Sequence, residues 1–423
     1  MLKMIALVIF IGVYVLLLVL PKYRALVAMT AAVAFMAMGI VPATEVGDII
    51  DWNVLMMLAG TMGTVDLFIR SKMPNRLADK LVGVLPSVKA LIIVLALFAG
   101  LVSAFVDNVA TVLMLAPVGL ALAEKLNISP VAPILAIAVS SNLQGAATLV
   151  GDTTSILLGG HLNMDFLDFF VYQGVPGMFW VVQIGALTTV PVMLILFRKE
   201  KGRLEGTVLT PVTDYLPTKL LVGTVLCLIF ASFLPEKPAI TNGVICMAFF
   251  LFGLVAECMK TKDMGLMVDV LKNIDYITLL LLAGLFMVID GIDRVGIIAD
   301  ISQIIAHLGG GNLFLTYTII VWFSVVASAF IDNIPYTATM LPVVGGVAAS
   351  LGVDQTVLCF GLLIGATLGG NLTPVGASAN IAAGGILRKA GYEVSTKQFM
   401  KIGVPFTLAA VTSGYIIAWF LYT

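Results

Sequence analysis

The sequence predicts an all-α polytopic membrane protein made of two inverted-topology repeats, and three observations predict it. The 423-residue chain is 60% hydrophobic and only 11% charged, where a soluble domain is about 25% charged. Many apolar runs approach the roughly 20 residues that cross a bilayer as helix. One polar motif also occurs twice within apolar sequence: Ser103-Ala104-Phe105-Val106-Asp107-Asn108 returns as Ser328-Ala329-Phe330-Ile331-Asp332-Asn333. Acids inside a membrane are costly and mark ion or substrate paths, so a pair repeated in register points at function.

Composition narrows the partners. The net charge of -1 says nothing about nucleic acid, but the sequence has no basic aromatic-interleaved patch, and no nucleic-acid partner is expected. Cys227, Cys246, Cys258 and Cys359 are scattered with no CxxC spacing, which suits small apolar packing residues. His161 and His307 are too few for a metal cluster, and no cofactor is expected. Membrane lipid and a small ion are the expected partners.

The elements follow in order. Leu2–Leu20 reads as a retained first helix, because Pro21-Lys22-Tyr23-Arg24 is a basic flank with no small-residue cleavage site. Ala25–Val41 and Val54–Ile69 are the next two apolar helices. Pro74–Leu85 is amphipathic and is expected to lie along the interface. Val88–Leu126 is a long apolar segment with Asp107-Asn108 mid-way, which reads as a helical hairpin (88–126) with the motif at its tip. A helix over 131–165 is interrupted by glycine and polar residues at Gly145–Ser155. Val175–Phe197 closes the half. The second half repeats this order: Lys219–Leu234, Ala239–Ala256, Tyr276–Ile289, amphipathic Val295–Leu308, hairpin 312–351, a helix over 356–390 broken at Gly369–Asn380, and Ile402–Leu421.

The match extends beyond the hexapeptide. Asp51-Trp52 with Ala59-Gly60 answers Asp275-Tyr276 with Ala283-Gly284. Pro117 answers Pro342, and Thr148-Leu149-Val150-Gly151 answers Thr373-Pro374-Val375-Gly376. The chain therefore divides into a first repeat, 1–197, a cytoplasmic linker, 198–215, and a second repeat, 216–423. If each hairpin returns to its own side, each half crosses five times and the second copy is upside down. Threading the chain this way puts all but Lys3, Lys237 and Arg294 of the 23 Lys and Arg on one side. The positive-inside rule makes that side the cytoplasm. Both termini then lie outside it, in what reads as a bacterial inner membrane protein.

Irregular backbone at membrane depth survives only when buried in protein or facing water. Each half offers two such places, a tip and a break, and inverted repeats bring all four together near the midplane. The tips supply Asp107, Asn108 and Thr111, then Asp332, Asn333 and Thr337. The breaks supply Thr148, Gly151, Asp152 and Thr153, then Asn371, Thr373, Gly376, Ser378 and Asn380. Glycines permit unwinding and close backbone approach. Hydroxyls, amides and carboxylates are hard oxygen ligands for alkali cations, with Asp107, Asn108, Asp332 and Asn333 as candidate Na⁺ ligands. The acids Asp107, Asp152 and Asp332 suit a cation or a proton. Asp and Asn are also strong helix N-caps. No Lys or Arg falls in the tips or breaks, which favours a cation, a proton or a neutral polyol-like species. Asp66 reads as a satisfied helix-end residue.

With these motifs in place, the chain resembles the ion transporter superfamily. That group includes arsenite efflux permeases, NhaD-type sodium/proton antiporters, the melanosomal P protein and divalent-anion/sodium symporters. Ser103–Pro117 and Ser140–Ser155 resemble its first-hairpin and first unwound-helix signatures, and Ser328–Pro342 and Gly369–Asn380 their second-half counterparts. The match is nearest to the arsenite permease and P protein branch. Gly151-Asp152-Thr153-Thr154-Ser155 stands where that branch has Gly-Asp-Pro-Pro-Asn, and Asp-Asn replaces the symporters' Ser-Asn-Thr at both tips. The resemblance implies a hairpin-and-broken-helix transport domain, a scaffold that dimerises, and elevator-like alternating access. The expected function is H⁺- or Na⁺-coupled secondary transport of a small inorganic or organic ion, arsenite or anion permease-like, with uptake or efflux left open. A Na⁺/H⁺ antiporter and a sodium-coupled di/tricarboxylate symporter are the alternatives, and a channel is a remote one. An intramembrane aspartyl protease is another, weakened because Leu149-Val150-Gly151-Asp152 lacks the first glycine of Gly-x-Gly-Asp. No enzymatic activity is expected.

Overall fold

The computed structural model describes residues 2–82, 87–125, 128–198, 210–212, 214–234 and 236–423. Most of the expected linker lies outside the described residues, as do Leu85 of the first amphipathic stretch and Leu126 of the first hairpin. Among the described residues, seven helices of at least 18 residues are apolar enough to cross a bilayer. The chain is an all-α integral membrane protein.

The described helices form two sets of ten in the same order. The first is α1 (Leu2–Val19), α2 (Arg24–Ala37), α3 (Val46–Ile49), α4 (Trp52–Arg70), α5 (Met73–Val82), α6 (Val88–Ser103), α7 (Asn108–Lys125), α8 (Val131–Gly145), α9 (Thr153–Leu162) and α10 (Met178–Leu196). The second is α11 (Leu216–Ala231), α12 (Thr241–Thr261), α13 (Met264–Asn273), α14 (Tyr276–Arg294), α15 (Ile297–Leu308), α16 (Leu313–Ser328), α17 (Asn333–Leu351), α18 (Thr356–Gly369), α19 (Ser378–Lys389) and α20 (Thr396–Tyr422). Helices α3 and α13 are absent from the sequence-based expectation. So is a two-residue ribbon, Val171–Tyr172 with Val175–Pro176. Its turn places Gln173 and Gly174 at φ of 51° and 85°, the left-handed pair that tight hairpins use.

The same side chains start matching helices. Asp51 accepts from Val54 N at 3.0 Å and Asp275 from Thr278 N at 3.0 Å, capping α4 and α14. Ser87 and Asn312 cap α6 and α16. Each cap satisfies an amide that the first turn leaves free.

Packing separates two bodies. In the first, α4 lies along α12 and α2 along α14, so each repeat lends a helix to the other; α1 and α11 flank them. Small residues allow the approach: a Cβ on Gly60 would meet the Cys246 backbone, and one on Gly284 the Ala28 backbone. Counterpart helices run oppositely. Asp66, near the end of α4, accepts from Asn273, just before α14, at 2.9 Å. The second body holds the hairpins α6–α7 and α16–α17, the broken helices α8–α9 and α18–α19, and α10 packed on α20. The amphipathic α5 and α15 lie against α7 and α17. Contact between the bodies runs through α14–α17, α4–α9 and α4–α7. Phe230, Phe233 and Phe420 are among many large apolar side chains on the outside, as a lipid-facing surface requires.

Candidate functional site

Each tip is held by its own aspartate. Asp107 Oδ1 accepts from Val109 N at 3.0 Å and Ala110 N at 3.1 Å, and Asp332 Oδ1 accepts from Ile334 N at 3.1 Å. The capping expected of Asp-Asn is therefore present at both tips, and it uses one carboxylate oxygen in each.

Each break is pinned to its tip. The Thr148 hydroxyl donates to the Ala104 carbonyl, and the Thr373 hydroxyl to the Ala329 carbonyl at 2.5 Å. Beside them, a Cβ on Gly151 would stand 2.5–2.8 Å from the carbonyl oxygens of Gly145, Ala104 and Ser103. One on Gly376 would stand 2.7–2.9 Å from those of Gly370, Ser328 and Ala329. Only glycine fits at these crossings, which explains both positions sterically.

Buried amides join the halves. Asn108 Nδ2 donates to Asn142 Oδ1 at 2.9 Å, and Asn142 Nδ2 donates to the Thr367 carbonyl at 2.8 Å and to Asn371 Oδ1 at 3.2 Å. Asn371 Nδ2 returns to the Val139 carbonyl at 2.9 Å. Asn380 Nδ2 donates to the Gly370 carbonyl at 3.0 Å. Connected polar clusters of this kind hold irregular backbone in one arrangement, although Asn380 Oδ1 has no hydrogen-bond partner among the described residues.

A cavity of about 510 Å³ opens between the two bodies. Asp107, Asn108, Asp152, Thr153, Asn333 and Ser378 of the predicted residues line it. Thr111, Thr148, Gly151, Thr337, Asn371, Thr373, Gly376 and Asn380 do not; they form the supporting layer behind it, and Asp332 is likewise not in the lining but is bonded to Arg24, which is. Asp152 is 3% exposed. Its carboxylate accepts from Thr153 N at 2.8 Å and from the Thr154 hydroxyl at 2.9 Å. Asp66 lines the rim, paired with Arg70 at 2.7 Å. Its counterpart pair, Asp290 and Arg294 at 2.6 Å, belongs to the end of α14.

The expectation of a site without a base is corrected. Arg24, at the start of α2, lines the cavity. Its Nη1 donates to Asp332 Oδ2 at 3.1 Å, and its Nη2 donates to the Thr278 hydroxyl at 3.0 Å and lies 3.6 Å from Asp275. The Ser378 hydroxyl donates to the same Asp332 oxygen at 3.3 Å. Arg24 escaped sequence reasoning because it stands in a basic helix flank far along the chain from either tip. Asp275 was visible only as part of the repeated helix start, and Thr278 carried no signal of its own in the sequence.

A family model described as a citrate transporter matches residues 14–359. The chain belongs to the citrate transporter family. An uncharacterized transporter of Mycobacterium tuberculosis is 31% identical over 434 residues, covering 99% of both chains. The P protein of Homo sapiens is 27% identical over 490 residues, covering 95% of this chain and 58% of that protein. These relatives agree with the superfamily that the motifs resemble. Among solved structures, the Alcanivorax borkumensis YdaH transporter aligns with a TM-score of 0.58 at 14% identity, over 94% of this chain and 96% of its own. Neisseria gonorrhoeae MtrF aligns with a TM-score of 0.53 at 13% identity, over 86% of this chain and 80% of its own. Both likenesses concern the fold. Family and fold together make this member of the citrate transporter family a membrane transporter.

Proposed function

We propose that the chain is an H⁺- or Na⁺-coupled secondary transporter of a small ion, working by elevator-like alternating access. The body of hairpins and broken helices would move against the body of α1, α2, α4, α11, α12 and α14, the latter serving as scaffold in a homodimer. The observation that carries this reading is the pair Asp107 and Asp152 at one cavity that opens between the two bodies. Asp107 keeps one carboxylate oxygen without a hydrogen-bond partner among the described residues, while its other oxygen caps α7. Such a group can take up and release a cation or proton without unravelling the tip. The open side carries Arg24, Arg70 and Lys272, which the positive-inside count assigns to the cytoplasm. We therefore read this as the inward-facing state, with both termini outside.

The test is reconstitution in proteoliposomes with imposed pH or Na⁺ gradients and labelled citrate, succinate, sulfate, arsenite or Na⁺. Gradient-driven accumulation of one of these is expected in the wild type and its loss in Asp107→Asn. Accumulation retained in Asp107→Asn would overturn the assignment of the coupling site.

A second reading is Na⁺/H⁺ antiport, without a further solute. It is favoured by the lining, in which Asp66, Asp107, Asp152 and Asp275 outnumber Arg24. Na⁺-driven proton movement in vesicles free of every other solute distinguishes it.

A further inference from the structure

We propose that Arg24 is a tethered cation that displaces the coupling ion from Asp332 in this conformation; the inference rests on the ion-coupled reading above. Both oxygens of Asp332 are engaged here. Oδ1 caps α17, and Oδ2 takes the Arg24 guanidinium at 3.1 Å and the Ser378 hydroxyl at 3.3 Å. A guanidinium at that distance fills the place of an exchangeable cation. The pair also crosses the boundary between the two bodies: Arg24 belongs to α2 beside α14, and Asp332 and Ser378 belong to the hairpin-and-break body.

The repeat shows why the contact is specific to one state. Ala28 stands to Gly284 as Cys246 stands to Gly60. Counting four residues back along α2 and α12 pairs Arg24 with Asn242. That residue is 6% exposed, and its Oδ1 has no hydrogen-bond partner among the described residues. In the state related by exchange of the repeats, Asp107 would dock where Asn242 waits, and Asp332 would face a cavity on the opposite side without Arg24. A neutral amide carbonyl can help to ligate a cation at Asp107, whereas a guanidinium expels one from Asp332. Asp332 thus loads a proton or Na⁺ on the far side. It releases that ion to the near side when Arg24 arrives as the new counter-charge. Asp107, by contrast, meets no such base and is open to ion binding and release in both states.

The charged groups facing Asp332 are Arg24 from α2, Asp275 from the cap of α14 and, within electrostatic reach, Asp152 from the first break; α19 contributes only the Ser378 hydroxyl. Any pH response must therefore be resolved from Asp152 and Asp275.

The experiment uses the full chain in detergent, with thermal unfolding followed against Na⁺ at fixed pH and against pH without Na⁺. Asp107→Asn serves as the background, so that the first tip is silent. Adding Arg24→Gln is expected to create a saturable stabilisation by Na⁺ or by protons, a shift of at least about 2 °C. Adding Asp332→Asn to that double variant is expected to abolish the shift. A double variant that responds no more than Asp107→Asn alone overturns the proposal, as does a response that survives Asp332→Asn. If Arg24→Gln does not fold, Arg24→Lys provides the reading, because a single-point ammonium holds Asp332 less firmly than a forked guanidinium. A smaller Asp332-dependent response is then expected, and its absence again overturns the proposal. These titrations need no transported solute. Wild-type vesicles that move none of the labelled ions would sink the transport reading alone, and an absent Asp332 response would sink this inference alone.

Discussion

The two hairpin tips have nearly the same sequence and the same cap, yet they face opposite electrostatic surroundings. At the first, Asp107 shares the cavity with Asp152, and no Lys or Arg pairs with it among the described residues. At the second, Asp332 meets Arg24, and the counterpart of Asp152 is Ala377. Duplication supplied two equal carboxylates; one added acid and one added base made them unequal. The lesson is that repeat symmetry sets where a charge can sit, while the residues that break the symmetry decide what each charge does.

The largest effect should come from removing that inequality at the first tip. On the ion-coupled reading, Asp107→Asn is expected to abolish gradient-driven flux and the stabilisation of the protein by the coupling ion. Asp332→Asn is expected to leave that stabilisation in place, because Arg24 already holds Asp332 in this state. Ion titrations of unfolding on the two single variants make the comparison directly; equal losses would erase the distinction between the tips.

The glycine crossings sharpen the comparison from the other side, since there the halves should behave alike. Gly151→Ala and Gly376→Ala each drive a methyl against three backbone carbonyls. Overpacking of this kind costs about 1–3 kcal/mol, and neither neighbour is a side chain able to swing away. Both variants should lower the unfolding midpoint by similar amounts. A harmless alanine at one position would show that its tip is not fixed to its break.

How much of this was legible in the sequence follows from the physics of each element. The all-α membrane class was open to reading because apolar runs and sparse charge report directly on the solvent. Asp107, Asp152 and Asp332 stood out because an acid in apolar sequence demands a reason. Thr148, Thr373, Gly151 and Gly376 were visible as break residues, but not as pins between break and tip, because their partners are backbone atoms of another helix. Arg24 was hidden for a different reason. At a helix start beside Lys22 it looks like any basic flank, and only folding brings it to a tip more than three hundred positions away. Its asymmetry with Asn242 becomes meaningful once α2 and α12 can be superposed through their contacts with α14 and α4.

The amide cluster offers a smaller, graded test. Asn142 and Thr367 are counterparts and both reach across the halves, but Asn142 does so through two bonds of its side chain and Thr367 through one. Asn142→Leu strands the Asn108 amide and the Thr367 carbonyl, a loss of about 1–3 kcal/mol for buried groups left unpaired. Thr367→Val removes only the bond to the Thr154 hydroxyl at 3.0 Å, about 0.5–1.5 kcal/mol. Chemical denaturation of the two variants should rank them in that order.

The smallest effect concerns the contact between the bodies. The Tyr14 hydroxyl, on α1, bonds the Pro335 carbonyl at 2.8 Å and the Thr339 hydroxyl, both on α17. The bond joins α1 to the helix that Asp332 caps, so it works with Arg24 to hold the second tip in place. Tyr14→Phe keeps the ring and removes the bond, costing about 0.5–1.5 kcal/mol. If the bond exists only in this conformation, that loss falls on this state alone, and the population shifts toward the opposite one by a factor of about 2 to 13. A cysteine at Leu113, which lines the cavity while its counterpart Ala338 does not, should then react more slowly with maleimide in the Tyr14→Phe background than in the wild type. Unchanged labelling with lowered stability would mean that the contact persists through the cycle, and that Arg24 alone distinguishes the two tips.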